Sequence, residues 1–290
     1  MLIPICKINN FNYLAQLILT KIKGEYMLIR QIANKETYEE INADLEIEFK
    51  ADSGSSTIIP LGKNWDTVGL QLSGGLDSAL LLFLTVKAIE KSGLNIKIQP
   101  ISVFIPTKVK NIAATDAIID KIRNITNVDF INNGIVIDMP MNETSTADGK
   151  KDKFFSNMIK EMFHTSKINF EYNGNTKNPP ADARKYWKND EFRQKNRDNA
   201  CSIYTTSHSA SPHYNMNKKD IINLYHKHNL IETVAPLTVS CDENISVVHD
   251  LKTTVPCGTC WWCEERKWGF ESNNIKDPAP TLSYNDYLNL

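Results

Sequence analysis

From Thr67 onwards, short apolar runs alternate with longer segments in which apolar residues recur at helical spacing. Val68-Gly69-Leu70-Gln71-Leu72 reads as a buried strand, and Ala79 to Lys91 as a helix ended by Gly93. Ile96 to Ile105 follows as a second strand, Asn111 to Asn124 as a helix, Ile135 to Met139 as a third strand and Lys153 to Thr165 as another helix. Ile168 to Tyr172 reads as a fourth strand, closed by Asn173-Gly174-Asn175-Thr176. Strand and helix in alternation predict an α/β fold, a doubly wound parallel sheet with helices on both faces.

The flanks are less regular. Asn178 to Tyr214 is polar, with Pro179-Pro180 and many charges, and predicts long loops and short helices of the kind that carry function. Asn217 is placed to cap a helix running through Asp220-Ile221-Ile222 to about His228, with Asp220 in its favourable first turn. Residues 1–60 have a different texture: Lys/Ile/Asn-rich text, an acidic stretch from Glu39 to Glu48, and Asp52-Ser53-Gly54-Ser55-Ser56 as a turn. They predict an N-terminal extension without a catalytic role, ahead of an α/β domain over 61–235 and a C-terminal lobe and tail over 236–290. Lys23-Gly24-Glu25-Tyr26-Met27 back-translates to a purine-rich ribosome-binding sequence ahead of a start codon. Met27 is then the expected start and 1–26 an over-extended reading, the other reading being an ordinary amphipathic N-terminal helix.

Composition narrows the partners. The chain has 290 residues, 41% of them hydrophobic, enough for a substantial core. Its 33 basic and 34 acidic side chains give a net charge of -1, so it lacks the overall positive field that draws proteins to nucleic-acid backbone, and a small-molecule substrate is expected instead. No apolar run approaches the ~18 residues of a membrane span, and no signal-peptide pattern opens the chain, so no membrane partner and a cytoplasmic location are expected.

The segment Ser73-Gly74-Gly75-Leu76-Asp77-Ser78 joins the first of these strands to its helix. Consecutive glycines let backbone turn tightly and approach a ligand, while the N–H groups opening the next helix favour anionic oxygens. Ser73 and Ser78 add hydroxyls. No Gly-Lys-Ser/Thr follows, and the glycine spacing does not fit a dinucleotide fingerprint.

Cys6 and Cys201 stand alone, whereas Cys241, Cys257, Cys260 and Cys263 crowd one stretch, with two-residue gaps that turn neighbouring sulfurs onto one centre. In a reducing compartment such a group suggests metal rather than disulfides. Four thiolates suit a closed structural zinc site, an iron–sulfur cluster is the competing reading, and free buried thiols are the third. Trp261 and Trp262 are expected to pack around the site. His208, His213 and His249 lie in polar text and are expected to face solvent.

Ser-Gly-Gly-x-Asp-Ser after a first strand resembles the signature of the PP-loop ATP pyrophosphatase superfamily. Members cleave ATP between the α- and β-phosphates and hold pyrophosphate in this loop while AMP moves to a substrate oxygen. Ser73, Asp77 and Ser78 thereby become catalytic candidates, and Ser73, Gly74, Gly75, Leu76, Asp77 and Ser78 the nucleotide site, with ATP and Mg2+ implied. Ser240-Cys241 and Pro256-Cys257-Gly258-Thr259-Cys260-Trp261-Trp262-Cys263 together with that loop resemble the 7-cyano-7-deazaguanine (preQ0) synthase family, in which the cysteines bind Zn2+. The resemblance covers about Thr67 to Phe270 and implies conversion of a deazapurine carboxylate, with ATP and ammonia, to a nitrile. By position it also implies substrate contacts from Asn175 and Arg193, with Arg197 near, a role for Lys219, and compatibility with a homodimer. Phe104-Ile105-Pro106-Thr107-Lys108 departs from the Tyr-Gly-Gln-like element of that family. A tRNA-thiolating PP-loop enzyme, an enzyme for another carboxylate and a nucleotide-binding sensor are the alternatives.

Overall fold

A computed structural model describes residues 43–104, 110–131, 135–138, 150–165, 167–187, 204–206, 208–241 and 256–278, all inside one compact unit, Asn42–Leu290. Residues 1–42, and with them the Met27 reading, lie outside the described residues, as do Arg193, Arg197, His249 and the stretch 105–109.

Two strands, β1 (Leu45–Lys50) and β2 (Ser56–Leu61), form an antiparallel hairpin with Leu45 opposite Leu61 and Lys50 opposite Ser56. There follow β3 (Thr67–Gln71), α1 (Leu76–Ser92), β4 (Lys97–Phe104), α2 (Lys110–Arg123), β5 (Ile135–Asp138), α3 (Lys150–His164) and β6 (Phe170–Tyr172). The remaining elements are α4 (Ala181–Arg184), β7 (Tyr204–Thr206), β8 (Ser209–Ala210), α5 (Lys218–Lys227), a 3-10 turn (Ala235–Leu237) and α6 (Trp261–Glu271).

The main sheet has the order β5-β4-β3-β6-β8-β7, in which all neighbours are parallel except β7, an antiparallel edge on β8. Central β3 is buried on both faces except at Gln71, as its continuous apolar run requires of a parallel strand. Building starts at β3, moves outward through β4 and β5, and then returns to the other side of β3 with β6 and β8. Strand order therefore reverses between β3 and β6, and in open α/β sheets ligands bind at that crevice, beyond the carboxyl ends of the strands.

Nearly all of α1 is buried, from Leu76 through Ile89. A helix apolar all round must be covered all round, and the hairpin and α5 supply that cover by packing against it. Gly93 ends α1 in the left-handed conformation, φ 69°, returning its N–H to Ile89 O. Elsewhere Ile101, Ile159, Met162 and Ile168 cluster to seat α3 on the sheet.

The hairpin corrects the expected boundary at residue 60. Thr57 Oγ1 lies 2.7 Å from His213 Nδ1, Ser53 Oγ donates to Asp220 Oδ1 at 2.6 Å, and the Tyr172 hydroxyl bonds Pro60 O. Residues 45–61 thus belong to the α/β unit. The segment after Asn178 contributes β7 and β8 to the sheet besides loops.

Candidate functional site

Beyond the carboxyl end of β3 the chain turns through Gly74, whose φ of 79° suits glycine alone, to Gly75, the N-cap of α1. Glycine has no side chain with which to cap, and no side-chain cap bond is present at this helix start. The first N–H groups of a helix have no intrahelical acceptor, so this end presents donors and a positive dipole. Ser73 and Ser78 hydroxyls sit 3.1 Å apart beside it, with Ser78 Oγ donating to Gly75 O at 3.2 Å.

What fixes this turn comes from afar. Val239 N–H donates to Gly74 O at 2.8 Å, the Tyr225 hydroxyl donates to Leu76 O at 2.9 Å, and His213 Nε2 lies 3.2 Å from Asp77 O. In a trans peptide the C=O and the following N–H point in opposite directions. Holding the carbonyls of Gly74, Leu76 and Asp77 therefore aims the N–H groups of Gly75, Asp77 and Ser78.

A carbonyl only accepts, so Nε2 of His213 carries the proton and Nδ1 accepts from the Thr57 hydroxyl. Burial pushes the imidazole pKa from 6.5 down to about 4, opposed by the nearby Asp77, and keeps it neutral. His213 is fully buried and so corrects the expectation of a solvent-facing side chain, whereas His208 is exposed as expected. Burial likewise drives the Tyr225 phenol up, so it stays a donor.

Asp77 points to a cation. Lys218 Nζ lies 2.5 and 2.6 Å from its two carboxylate oxygens and 3.6 Å from Glu265 Oε2. Lys218 is 3% exposed, held at the first position of α5 by a capping box of Asn217 and Asp220. Its stem crosses α6 where a Cβ on Gly269 would sit 2.6 Å from Lys218 Cγ. Lys219, the lysine expected at the site, is exposed and gives way to Lys218. The signal was present in the helix: Lys218 shares a face with buried Ile221, Ile222 and Tyr225, three, four and seven residues on, and Lys219 does not.

Across the crevice, the turn after β6 abuts α1 so closely that a Cβ on Gly174 would meet Ser78 N at 3.1 Å and Ser78 Cα at 3.2 Å. Asn173 anchors this turn, its Oδ1 accepting from Ser211 Oγ at 2.5 Å and Asn175 N at 3.3 Å. Asn175 itself is exposed, one residue beyond the Gly174 that abuts Ser78. Sequence reading missed the buried supports Thr57, His213, Tyr225 and Glu265.

The four cysteines do converge. Cys241 closes the segment after the 3-10 turn, Cys257 and Cys260 flank Gly258 at φ 73°, and Cys263 lies in the first turn of α6. Their Sγ atoms all lie within 4.8 Å of one another, with Cys257 and Cys263 at 3.9 Å. Backbone N–H groups of Cys257 and Cys260 approach Cys241 Sγ and Cys257 Sγ at 3.3 and 3.2 Å. Hydrogen bonds from Cys241 and Cys263 hold the Cys260 thiol well below its ordinary range, while Cys241 is pushed up by Cys260, and Cys263 by Cys241 and Cys260. Such a set of soft donors could hold a metal. Trp261 is buried against it, edge-on to Trp187 and Trp262.

Arg266 ties this region to the core. It forks onto Asp277 at 2.6 and 2.9 Å and donates to Thr238 Oγ1 at 2.8 Å and Ala235 O at 3.3 Å. Among the described residues no helix is long and apolar enough to cross a membrane.

No family model matches the chain, and no curated protein matches it. Among solved structures it is similar to the U34-tRNA thiolase NcsA from Methanococcus maripaludis with its [4Fe-4S] cluster, at 12% identity and a TM-score of 0.37. That match spans 57% of this chain and 57% of that chain.

Proposed function

We propose that this chain is a PP-loop ATP-dependent ligase that converts 7-carboxy-7-deazaguanine and ammonia to 7-cyano-7-deazaguanine. One observation carries the ATP part of the reading: a glycine-capped helix start at the point where strand order reverses, its N–H groups aimed by three pinned carbonyls. Preorganised donors of this kind suit a departing pyrophosphate, since they need no rearrangement when charge develops.

The chemistry asks little of the protein beyond position. The substrate carboxylate oxygen attacks the α-phosphorus, the bond to the β-phosphate oxygen breaks, and pyrophosphate leaves into the loop formed by Ser73 to Ser78. Ammonia displaces AMP to give the amide. A second ATP adenylylates the amide oxygen, and loss of AMP with the amide protons forms the nitrile. Lys218, fixed by Asp77, keeps a cation beside the loop. Mg2+ would travel on the ATP phosphates rather than in a protein cage. Asn175 is the described residue offered to the deazapurine, and Arg193 would grip its carboxylate in a bidentate fork.

The cysteines support zinc in a closed structural role. A tetrahedral ion with bonds of about 2.3 Å separates its sulfurs by roughly 3.8 Å, close to the 3.9 Å between Cys257 and Cys263. A four-iron cluster puts each thiolate on a different iron and spreads the sulfurs wider. Zinc there would supply fold rather than catalysis.

The test is incubation with Mg-ATP, ammonium and 7-carboxy-7-deazaguanine, followed by mass spectrometry for amide, nitrile and AMP. All three products are expected. AMP without a deazaguanine product overturns the substrate, and absence of ATP turnover with any carboxylate overturns the enzyme.

A further inference from the structure

The cysteine site and the phosphate-type loop are joined by two separate chains of contact. On one, Cys263 lies two residues before Glu265 on α6, Glu265 Oε2 stands 3.6 Å from Lys218 Nζ, and Lys218 grips both oxygens of Asp77. Both inner members are buried, Lys218 at 3% and Glu265 at 1% exposure. On the other, Cys241 ends the segment whose Val239 N–H bonds Gly74 O, and Arg266 of α6 clamps the same segment through Thr238 and Ser240. Gly74 and Asp77 bracket the glycine cap of α1, so one shoulder of the loop is held directly by the segment that ends in Cys241 and the other, through Lys218 of α5, by the helix that carries Cys263.

We propose that metal occupancy of the four-cysteine site and phosphate binding at Ser73–Ser78 are energetically coupled, with Glu265, Lys218 and the Val239 amide as the coupling contacts. This rests on the reading of the loop as a nucleotide site and of the cysteines as a metal site. When the four sulfurs share an ion, the start of α6 and the Val239–Cys241 segment are fixed together. Glu265 then holds Lys218 in line with Asp77, and Val239 holds the Gly74 peptide. Without the ion, the start of α6 is free to shift, and buried Lys218 and Asp77 lose the register that a desolvated ion pair requires. Glu265, Lys218 and Val239 act through Asp77 and Gly74, and so are positioning residues.

Linkage makes the claim measurable without turnover, because a coupling factor is the same in both directions. Zinc would be withdrawn from the full-length protein with a chromophoric chelator, with and without saturating Mg-ATP. In parallel, ATP affinity would be measured by calorimetry on zinc-loaded and zinc-stripped protein. The expected result is a matching change of about fivefold or more in both affinities, the lower end of ordinary allosteric coupling. Glu265→Gln, which keeps shape but removes charge, is expected to shrink the factor at least threefold, while Lys267→Met, exposed on the same helix, leaves it unchanged. Should Glu265→Gln fail to fold, the wild-type cycle alone decides. Zinc and ATP binding with independent affinities overturns the coupling and leaves the nucleotide reading standing. Failure to bind either one overturns that reading and the coupling with it.

Discussion

Adjacent lysines at the start of α5 offer a sharp test, because Lys218 is buried against Asp77 and Glu265 while Lys219 is exposed. Lys218→Met retains the stem that packs at Gly269 and deletes only the charge. It strands the Asp77 carboxylate, whose side chain keeps 23% of its exposure, and removes the cation beside Glu265, whose side chain keeps 1%. Removing one partner of a buried pair costs about 3–5 kcal/mol. Residual solvent at Asp77 places this case at the lower end, about 3 kcal/mol. For a compact unit of this size each kcal/mol lowers Tm by roughly 2–4 °C, so a fall of roughly 6–12 °C is expected by calorimetry. Lys219→Met, like other exposed substitutions, stays within about 0.5 kcal/mol. In ATP–pyrophosphate exchange, kcat/KM falls at least tenfold for Lys218→Met and less than twofold for Lys219→Met. Equal effects of the two substitutions, or a Tm loss below about 2 °C for Lys218→Met, would refute the placement of Lys218 as the loop's buried cation.

Gly174→Ala forces a methyl against Ser78 backbone; overpacking of this kind costs about 1–3 kcal/mol, and calorimetry should show lower Tm together with weaker ATP binding. His213 is depressed from 6.5 to about 4, so the unfolded chain takes up a proton that the folded chain refuses. Its stability contribution is complete above pH 6.5 and drains away as pH falls towards 4, by about 3 kcal/mol in all; urea titrations at pH 7.5 and 4.5 check this, and a His213→Gln variant with an unchanged pH slope would count against it. Metal analysis is expected to give one zinc per chain with no broad absorbance near 400 nm, and chelation to lower Tm.

Much of the sheet is legible because a central parallel strand must be apolar on both faces, and Val68 to Leu72 shows that directly. The strand and helix limits from β3 to α3 fall within three residues of those expected. The helix from Lys218 was legible in its cap, since Asn217 and Asp220 form the reciprocal bonds that their spacing permits. The hairpin was hidden by its charge. Leu45, Ile47 and Phe49 alternate with Glu46, Glu48 and Lys50, a period of two that reads as an acidic stretch when charges are counted without parity. His213 carried no local signal, because its burial depends on Thr57 and Asp77, each more than a hundred residues away in the chain.

The six residues of the loop cannot fix themselves. Their internal contacts are hydroxyl bonds of 3.1 to 3.4 Å between Ser73, Gly75 and Ser78, at the weak end of the range for such bonds. The firmer contacts run outward, to Val239, Tyr225 and Lys218 at 2.5 to 2.9 Å. Those donors belong to α5 and to the segment leading into Cys241, which follow the whole sheet in sequence. A strand, two glycines and a helix therefore make a turn, and only the later third of the chain makes that turn a set of aimed dipoles. Electrostatic stabilisation depends on aim rather than on the number of donors. Residues that line no part of the loop surface, Tyr225 and His213 foremost, are accordingly as much part of the proposed anion site as Ser73 and Ser78.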